Sequence, residues 1–211
     1  MATLDELREA VVDGQAKVAV AKVTEALAAG TDAGTVLREG LIAGMAQVGK
    51  LYEDGEVFVP EMLVAARAMS AALAVLKPYL VEQGVASSGK VAIGTTEGDL
   101  HDIGKNLVAM MLEGSGYEIV DLGVDVPATK FIEAIRDGAN VVAMSALLTT
   151  TMTNMRSTIA AIEAAGLRDQ VRIVVGGAPI TKSYADEIGA DGYAEDASGA
   201  VRMVKEVLAA A

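Results

Sequence analysis

The chain has 211 residues, a formal net charge of −12, 52% apolar residues, only 3% aromatics and no cysteine. That length buries a substantial core in one large domain or two small ones. Without cysteine there are no disulfides, thiolate metal sites or cysteine-held iron–sulfur clusters. An acidic chain with no basic patch is a poor match for nucleic acid or an anionic membrane. The first ten residues are acidic and amphipathic, unlike a signal peptide, and no apolar run approaches the ~20 residues of a membrane span. A cytoplasmic protein is expected.

Residues 1–88 predict a helical domain. Two short helices part at Asp13-Gly14, with Leu4, Leu7 and Val11 on one face of the first and Ala16, Val20, Val23 and Leu27 on one face of the second. Gly30 ends that helix, and Thr31 or Asp32 caps the next. The third helix runs to about Tyr52 with Leu37, Leu41, Met45 and Val48 in a stripe, and Glu53-Asp54-Gly55-Glu56 breaks it. The fourth has Pro60 in its first turn, where a missing N–H costs nothing, and carries Met62, Ala66, Met69, Leu73, Leu76 and Leu80 at helical spacing. Short connections between amphipathic helices predict an antiparallel four-helix bundle. Val85–Gly89 is small and polar and marks the boundary to a second domain, 89–211.

From Lys90 onward strands alternate with helices. Strands are expected at 91–96, 118–121, 140–145, 171–176 and 192–194, and helices at 104–113, 128–137, 152–165, 181–188 and 197–209. This is the pattern of an α/β domain: a parallel five-stranded sheet with helices on both faces, doubly wound and of flavodoxin-like, Rossmann-type layout.

In such a sheet the loops after the strands line one edge. Four segments meet there. The first is Gly98-Asp99-Leu100-His101-Asp102-Ile103-Gly104, which holds the only histidine of the chain. The second is Ser145-Ala146-Leu147-Leu148-Thr149, where strand alternation sends Ser145, Leu147 and Thr149 to one side. The third is Gly176-Gly177-Ala178-Pro179, whose glycines let the backbone come close to a ligand. The fourth is Gly192-Tyr193-Ala194-Glu195-Asp196. The site is long and flat, and it lacks both the phosphate-loop spacing and the dinucleotide fingerprint. A metal-bound imidazole passes its second N–H to an acceptor, which Asp99 can supply. One histidine and no cysteine do not make a zinc site, whereas a metal already ringed by a macrocycle needs a single protein ligand.

Asp99-x-His101-x-x-Gly104, then Ser145-x-Leu147, then Gly176-Gly177, resemble in order and spacing the cobalamin-binding signature. Gly44-Met45-x-x-Val48-Gly49-x-x-Tyr52-x-x-Gly55-Glu56-x-Phe58-Val59-Pro60-Glu61-Met62 is similar to the helical cap of corrinoid methyltransferase systems and of cobalamin-dependent methionine synthase. Val59 stands where those families usually have leucine. The resemblance covers essentially the whole chain, and its size and layout match the small corrinoid proteins of methylamine, methanol, methoxyaromatic and betaine demethylation.

The resemblance implies a cobalamin or related corrinoid held base-off, with His101 as the cobalt ligand in place of the cofactor's own base. It implies a nucleotide tail running between the Ser145 and Gly176 segments, near Ala178, Tyr193, Ala194 and Asp196. It also implies a relay of His101, Asp99 and Ser145, in which protonation of His101 weakens its hold on cobalt. Phe58, Val59 and Met62 are the candidates for contact with the upper face, and Val85–Gly89 for the hinge that lets the cap swing. The function implied is that of a carrier without catalytic activity of its own. It would take a methyl group from a substrate-specific methyltransferase as methyl-Co(III) and give it to a second methyltransferase using tetrahydrofolate or coenzyme M, with a reductive activator of Co(II) as a third partner. An adenosylcobalamin mutase subunit would share the histidine loop but not the cap. A cobalamin-dependent sensor would want a basic helix-turn-helix, which this chain lacks.

Overall fold

The computed structural model describes residues 2–85 and 87–210, apart from the side chain of Ala2. The chain divides into two compact units, one comprising residues 1–87 and 113–116 and the other 88–112 and 117–211. The expected hinge Val85–Gly89 includes Ala86, which lies outside the described residues.

The first unit is built on four helical rods. They are α1 (Ala2–Val12), α2 (Ala16–Ala28), α3 (33–53) and α4 (Val59–Glu82). Leu4, Leu7, Ala10 and Val11 bury one face of α1. On α2 the buried residues are Ala19, Val23 and Ala26, one step round from the expected face. The alanines set this choice, since small side chains let helices pack closely. The Asp32 side chain accepts from the Thr35 amide at 2.9 Å and caps α3. Residues Val36–Ile42 of α3 are wound as a π-helix before the α-helical part Ala43–Glu53. A Cβ on Gly40 would lie 2.5 Å from Leu7 Cδ2, and one on Gly44 2.9 Å from Val11 Cβ, so α1 lies against α3 along a glycine stripe.

In α4, Pro60 occupies the first turn, and the Glu61 carboxylate reaches back to the Phe58 amide at 3.1 Å. Met62, Ala65, Ala66, Met69, Ala72, Leu76 and Leu80 are buried along it. At 24 residues α4 is long and apolar enough to cross a membrane by length and composition, contrary to the sequence expectation. Its charges are few and widely spaced, and much of its apolarity comes from alanine and valine between the stripe positions.

The second unit is a five-stranded parallel sheet in the order β2-β1-β3-β4-β5. The strands are β1 (Lys90–Thr96), β2 (Glu118–Val126), β3 (Val141–Ser145), β4 (Arg172–Gly176) and β5 (Gly192–Ala194). The helices are α5 (Ile103–Gly114), α6 (Ala128–Arg136), α7 (Thr149–Ala164), α8 (Lys182–Glu187) and α9 (Ala197–Ala209), with a 3₁₀ turn at Arg168–Gln170. Two cores follow from the two-residue period of the strands. Val91, Ile93, Val141, Ala143 and Val174 pack with Leu112 of α5 and with Val204 and Val207 of α9. Ala92, Val142, Met144, Ile173 and Val175 pack with Phe131 and Ile135 of α6 and with Met155, Ile159 and Ile162 of α7. Each fully buried side chain of this size contributes roughly 1.5–3 kcal/mol.

Two boundaries differ from expectation in ways that shape the site. β2 continues past Asp121 to Val126, with register breaks opposite Gly94. The Gly123 that ends the apolar alternation in sequence is a bulge residue rather than a strand end. In turn, β3 stops at Ser145, and Thr149 opens α7, three residues before the expected start. The alternation drawn through Ser145, Leu147 and Thr149 therefore ends at Ser145.

Candidate functional site

The strand order reverses between β1 and β3. The loop after β1 leads to α5 on one face of the sheet, and the loop after β3 leads to α7 on the other. The two loops diverge and leave a crevice at the carboxyl edge, where open α/β sheets hold their ligands.

Asp99 spans this crevice. It is fully buried and accepts hydrogen bonds on both oxygens. Oδ1 takes the His101 amide at 3.1 Å and faces His101 Nδ1 at 2.7 Å. Oδ2 takes the Thr151 hydroxyl at 2.6 Å and the amides of Leu147 and Leu148 at 2.8 and 3.4 Å. Burial pushes the carboxyl upward, but the bonds from Thr151, Leu147 and His101 outweigh it and hold Asp99 far below the ordinary carboxylate range. An ionised Asp99 accepts only, so the proton of a neutral His101 ring sits on Nδ1 and the Nε2 lone pair is left for a ligand. The His101 side chain is 51% exposed. The Thr95 hydroxyl, at the end of β1, donates to the His101 carbonyl at 2.9 Å.

Around the imidazole stand exposed apolar side chains. Leu100 is 71% exposed and Ile103 86%, and Leu147 and Leu148 are more than two-fifths exposed. Exposed apolar side chains grouped in this way mark a binding surface. Among the described residues no group of three His, Cys, Asp or Glu is placed to hold a bare metal ion.

The remaining predicted residues take distinct places. Ser145 pairs with Thr95 and Gly176 across the sheet. Among the described residues the hydroxyl that Asp99 accepts is that of Thr151, and no hydrogen bond joins Ser145 to Asp99. The cause is the early start of α7, whose first turn turns Thr151 toward the carboxylate. Three threonines in a row, Thr149-Thr150-Thr151, signalled hydroxyls here but not which one points inward. Gly98 donates its amide to Asp125, and Asp102 accepts from the Asn106 amide and side chain. Gly104 has nothing within 4 Å of a built Cβ, while Gly176 and Gly177 are tight: their Cβ atoms would lie 2.8 Å from the Ala194 carbonyl oxygen and 1.9 Å from that of Ala146. Ala178 and Thr149 are exposed. Tyr193, Ala194 and Asp196 line a cavity of about 250 Å³ with Gly199, Arg202 and Met203, and Asp196 also caps α9 through the Gly199 amide at 2.7 Å. In the helical unit Phe58 and Val59 are exposed and Met62 is fully buried.

Sequence reading also passed over Lys105. It is 2% exposed, and its Nζ sits 2.7 Å from both Asp121 oxygens and 2.6 Å from Asn106 Oδ1. This ion pair, with Lys105 buried and Asp121 exposed, ties the start of α5 to β2.

Two family models, each described as a B12 binding domain, match residues 89–202 and 3–77. The trimethylamine corrinoid protein of Methanosarcina barkeri is 46% identical over 95% of this chain and 94% of that protein. A corrinoid protein of Desulfitobacterium hafniense is 39% identical over 99% of this chain and 98% of its own. The chain belongs to the corrinoid proteins of methyltransferase systems. Solved structures agree with the assignment. The corrinoid protein matches a chain of the methanol:cobalamin methyltransferase complex MtaBC of M. barkeri with a TM-score of 0.87 at 28% identity, covering 100% of this chain and 81% of that one. It matches a cobalamin-binding protein of D. hafniense with a TM-score of 0.80 at 30% identity, covering 96% and 97%.

The residues present fit the corrinoid that the family binds. One anchored imidazole suits a metal that brings its own ring, the exposed leucines and Ile103 suit an apolar macrocycle edge, and Gly176 and Gly177 keep the neighbouring loop free of side chains. Asp99 is the keystone of this crevice, bonded to both of its loops. Asp99→Asn turns an N–H toward donors whichever way the amide lies, and is expected to destabilise the apoprotein by about 3 kcal/mol at pH 7. The folded-state carboxyl is depressed, so the stability it contributes is present above the unfolded value of ~3.9 and fades as pH falls below it. Urea midpoints of the two proteins should therefore converge below about pH 4. A gap that stays constant down to pH 3 would refute this role.

Proposed function

We propose that the protein is a methyl carrier serving two methyltransferases, one that draws the methyl group from a small methylated amine and one that passes it to tetrahydrofolate or coenzyme M. The single observation that carries this reading is the imidazole of His101, half exposed at the switch point and fixed by a buried, ionised Asp99. The relatives named for trimethylamine and dimethylamine, at 46% and 44% identity, support the donor class. The corrinoid, when bound, supplies a cobalt able to accept and release a methyl group.

The chain's own residues do the rest. His101 would hold the cobalt through Nε2. Asp99 fixes the ring's tautomer and direction, and Thr151 with the Leu147 amide fixes Asp99. Leu100, Ile103, Leu147 and Leu148 would keep water from the ligated side of His101. Chemistry on the donor and the acceptor lies in the partners, with a reductive activator as a third partner. A cytoplasmic setting, consistent with the absence of cysteine, belongs to this reading.

The test is reconstitution with hydroxocobalamin, reduction, and incubation with trimethylamine-, dimethylamine- or methanol-specific methyltransferases and their donors. Demethylation in an amine arm, followed by methyl release to one acceptor system, is the expected result. Cofactor bound but no methyl taken up in any arm would sink the carrier reading, and uptake from methanol alone would overturn the donor class.

A further inference from the structure

Asp125 is the one non-glycine among the described residues with a positive φ, at +52°. It lies near the end of β2, within the second register break between Gly123 and Val126, on the edge of the sheet beside the His101 loop. Left-handed backbone is strained for an L-residue, less so for aspartate than for most, and glycine adopts it without strain. The conformation aims the Asp125 amide at the Asp99 carbonyl, 2.9 Å away, while the Asp125 carboxylate accepts the Gly98 amide at 2.6 Å. The Asp99 amide is in turn bonded to the Thr96 carbonyl at 3.1 Å. The backbone on both sides of the Asp99 Cα is thus pinned. From the other flank, the Asn154 side chain donates to the Glu97 carbonyl at 2.7 Å, and Thr151 and Leu147 hold the Asp99 side chain.

Glycine at position 125 could place the amide but not the carboxylate. Most other residues could supply neither without more strain. Backbone strain kept at such a place points to function. We infer that Asp125 is a positioning residue for the cobalt ligand: its left-handed backbone and its carboxylate together index Asp99, and through Asp99 the direction of His101. The inference rests on the reading of His101 as that ligand.

The experiment compares Asp125→Gly and Asp125→Asn with the wild type and with His101→Ala. Glycine relieves the backbone strain, so loss of folding does not obscure the result, and melting temperatures check this. In protein loaded with hydroxocobalamin and reduced to Co(II), nitrogen splitting in the electron paramagnetic resonance spectrum reports histidine ligation. Asp125→Gly is expected to raise the ratio of histidine-off to histidine-on by about 10-fold, the lower end of the effect of removing a ligand's supporting partner. Asp125→Asn retains an acceptor oxygen and should restore most of the ligation. In apoprotein, the Nδ1 proton of His101 should exchange faster in Asp125→Gly, by nitrogen-15 magnetic resonance. Wild-type ligation and exchange in Asp125→Gly would overturn the role, as would equal damage in both variants. If wild type and His101→Ala show the same splitting, it is the reading of His101 that fails, and the exchange measurement still decides whether Asp125 holds the ring.

Discussion

His101→Ala is expected to leave the fold intact and remove histidine ligation from the bound corrinoid. The Asp99 carboxylate keeps the Thr151 hydroxyl, the Leu147 and Leu148 amides and the backbone amide of residue 101 when the ring is gone. Only one bond of a half-exposed ring is lost, worth about 1–2 kcal/mol. The melting curve of the apoprotein should therefore shift little. The loaded protein should lose the nitrogen splitting of its Co(II) spectrum. Affinity for the corrinoid should fall at least as far as the 10–100-fold seen when a metal ligand's supporting partner is removed. An unchanged spectrum would mean that the cobalt is held elsewhere, and a collapsed apoprotein would mean that the ring is structural.

Gly177→Ala should act in the opposite way, through the fold rather than the ligand. Gly177 has a φ of +125°, a region essentially closed to residues with a side chain, and its Cβ would lie 1.9 Å from the Ala146 carbonyl oxygen. The obstacle is backbone and has no rotamer by which to move. A loss of at least ~3 kcal/mol is expected, which for a chain of this size lowers the melting temperature by roughly 6–12 °C. Gly189 is the control, with a φ of +77° and nothing within 4 Å of a built Cβ. Its alanine variant bears the backbone cost alone, about 1–2 kcal/mol. Equal melting of the two variants would refute the steric argument. Within the chain, the double glycine permits the close approach of the Ala146 and Ala194 backbone.

The architecture was legible because it rests on periodicity. Val91, Ile93, Val141 and Val142 read as strands because fully buried parallel strands are apolar on both faces. The helix caps at Asp32 and Asp196 and the proline of α4 were likewise written in residue type. At the site, Asp99 and His101 could be paired because they are two residues apart. What escaped depends on distance along the chain. Thr151 lies 52 residues from Asp99, and which of three neighbouring hydroxyls turns inward depends on where α7 begins. Asp125 lies on the stretch of β2 after Asp121 that Gly123 made unreadable as strand, and an isolated aspartate gives no sign of a left-handed backbone. The partner of Lys105, Asp121, lies 16 residues further on, so nothing near Lys105 in sequence marks it as buried.

The loop from Glu97 to Asn106 is held by its own protein on every side, through Asp125, Thr95, Thr151, Asn154 and the Lys105–Asp121 pair. Each of these bonds joins groups of the chain itself. On the proposed reading of His101 as the cobalt ligand, the apoprotein offers a ready-made berth rather than a loop that folds around its guest. Capture is then expected to carry little ordering penalty from this loop, and the heat-capacity change on loading to reflect the surface covered rather than chain newly folded.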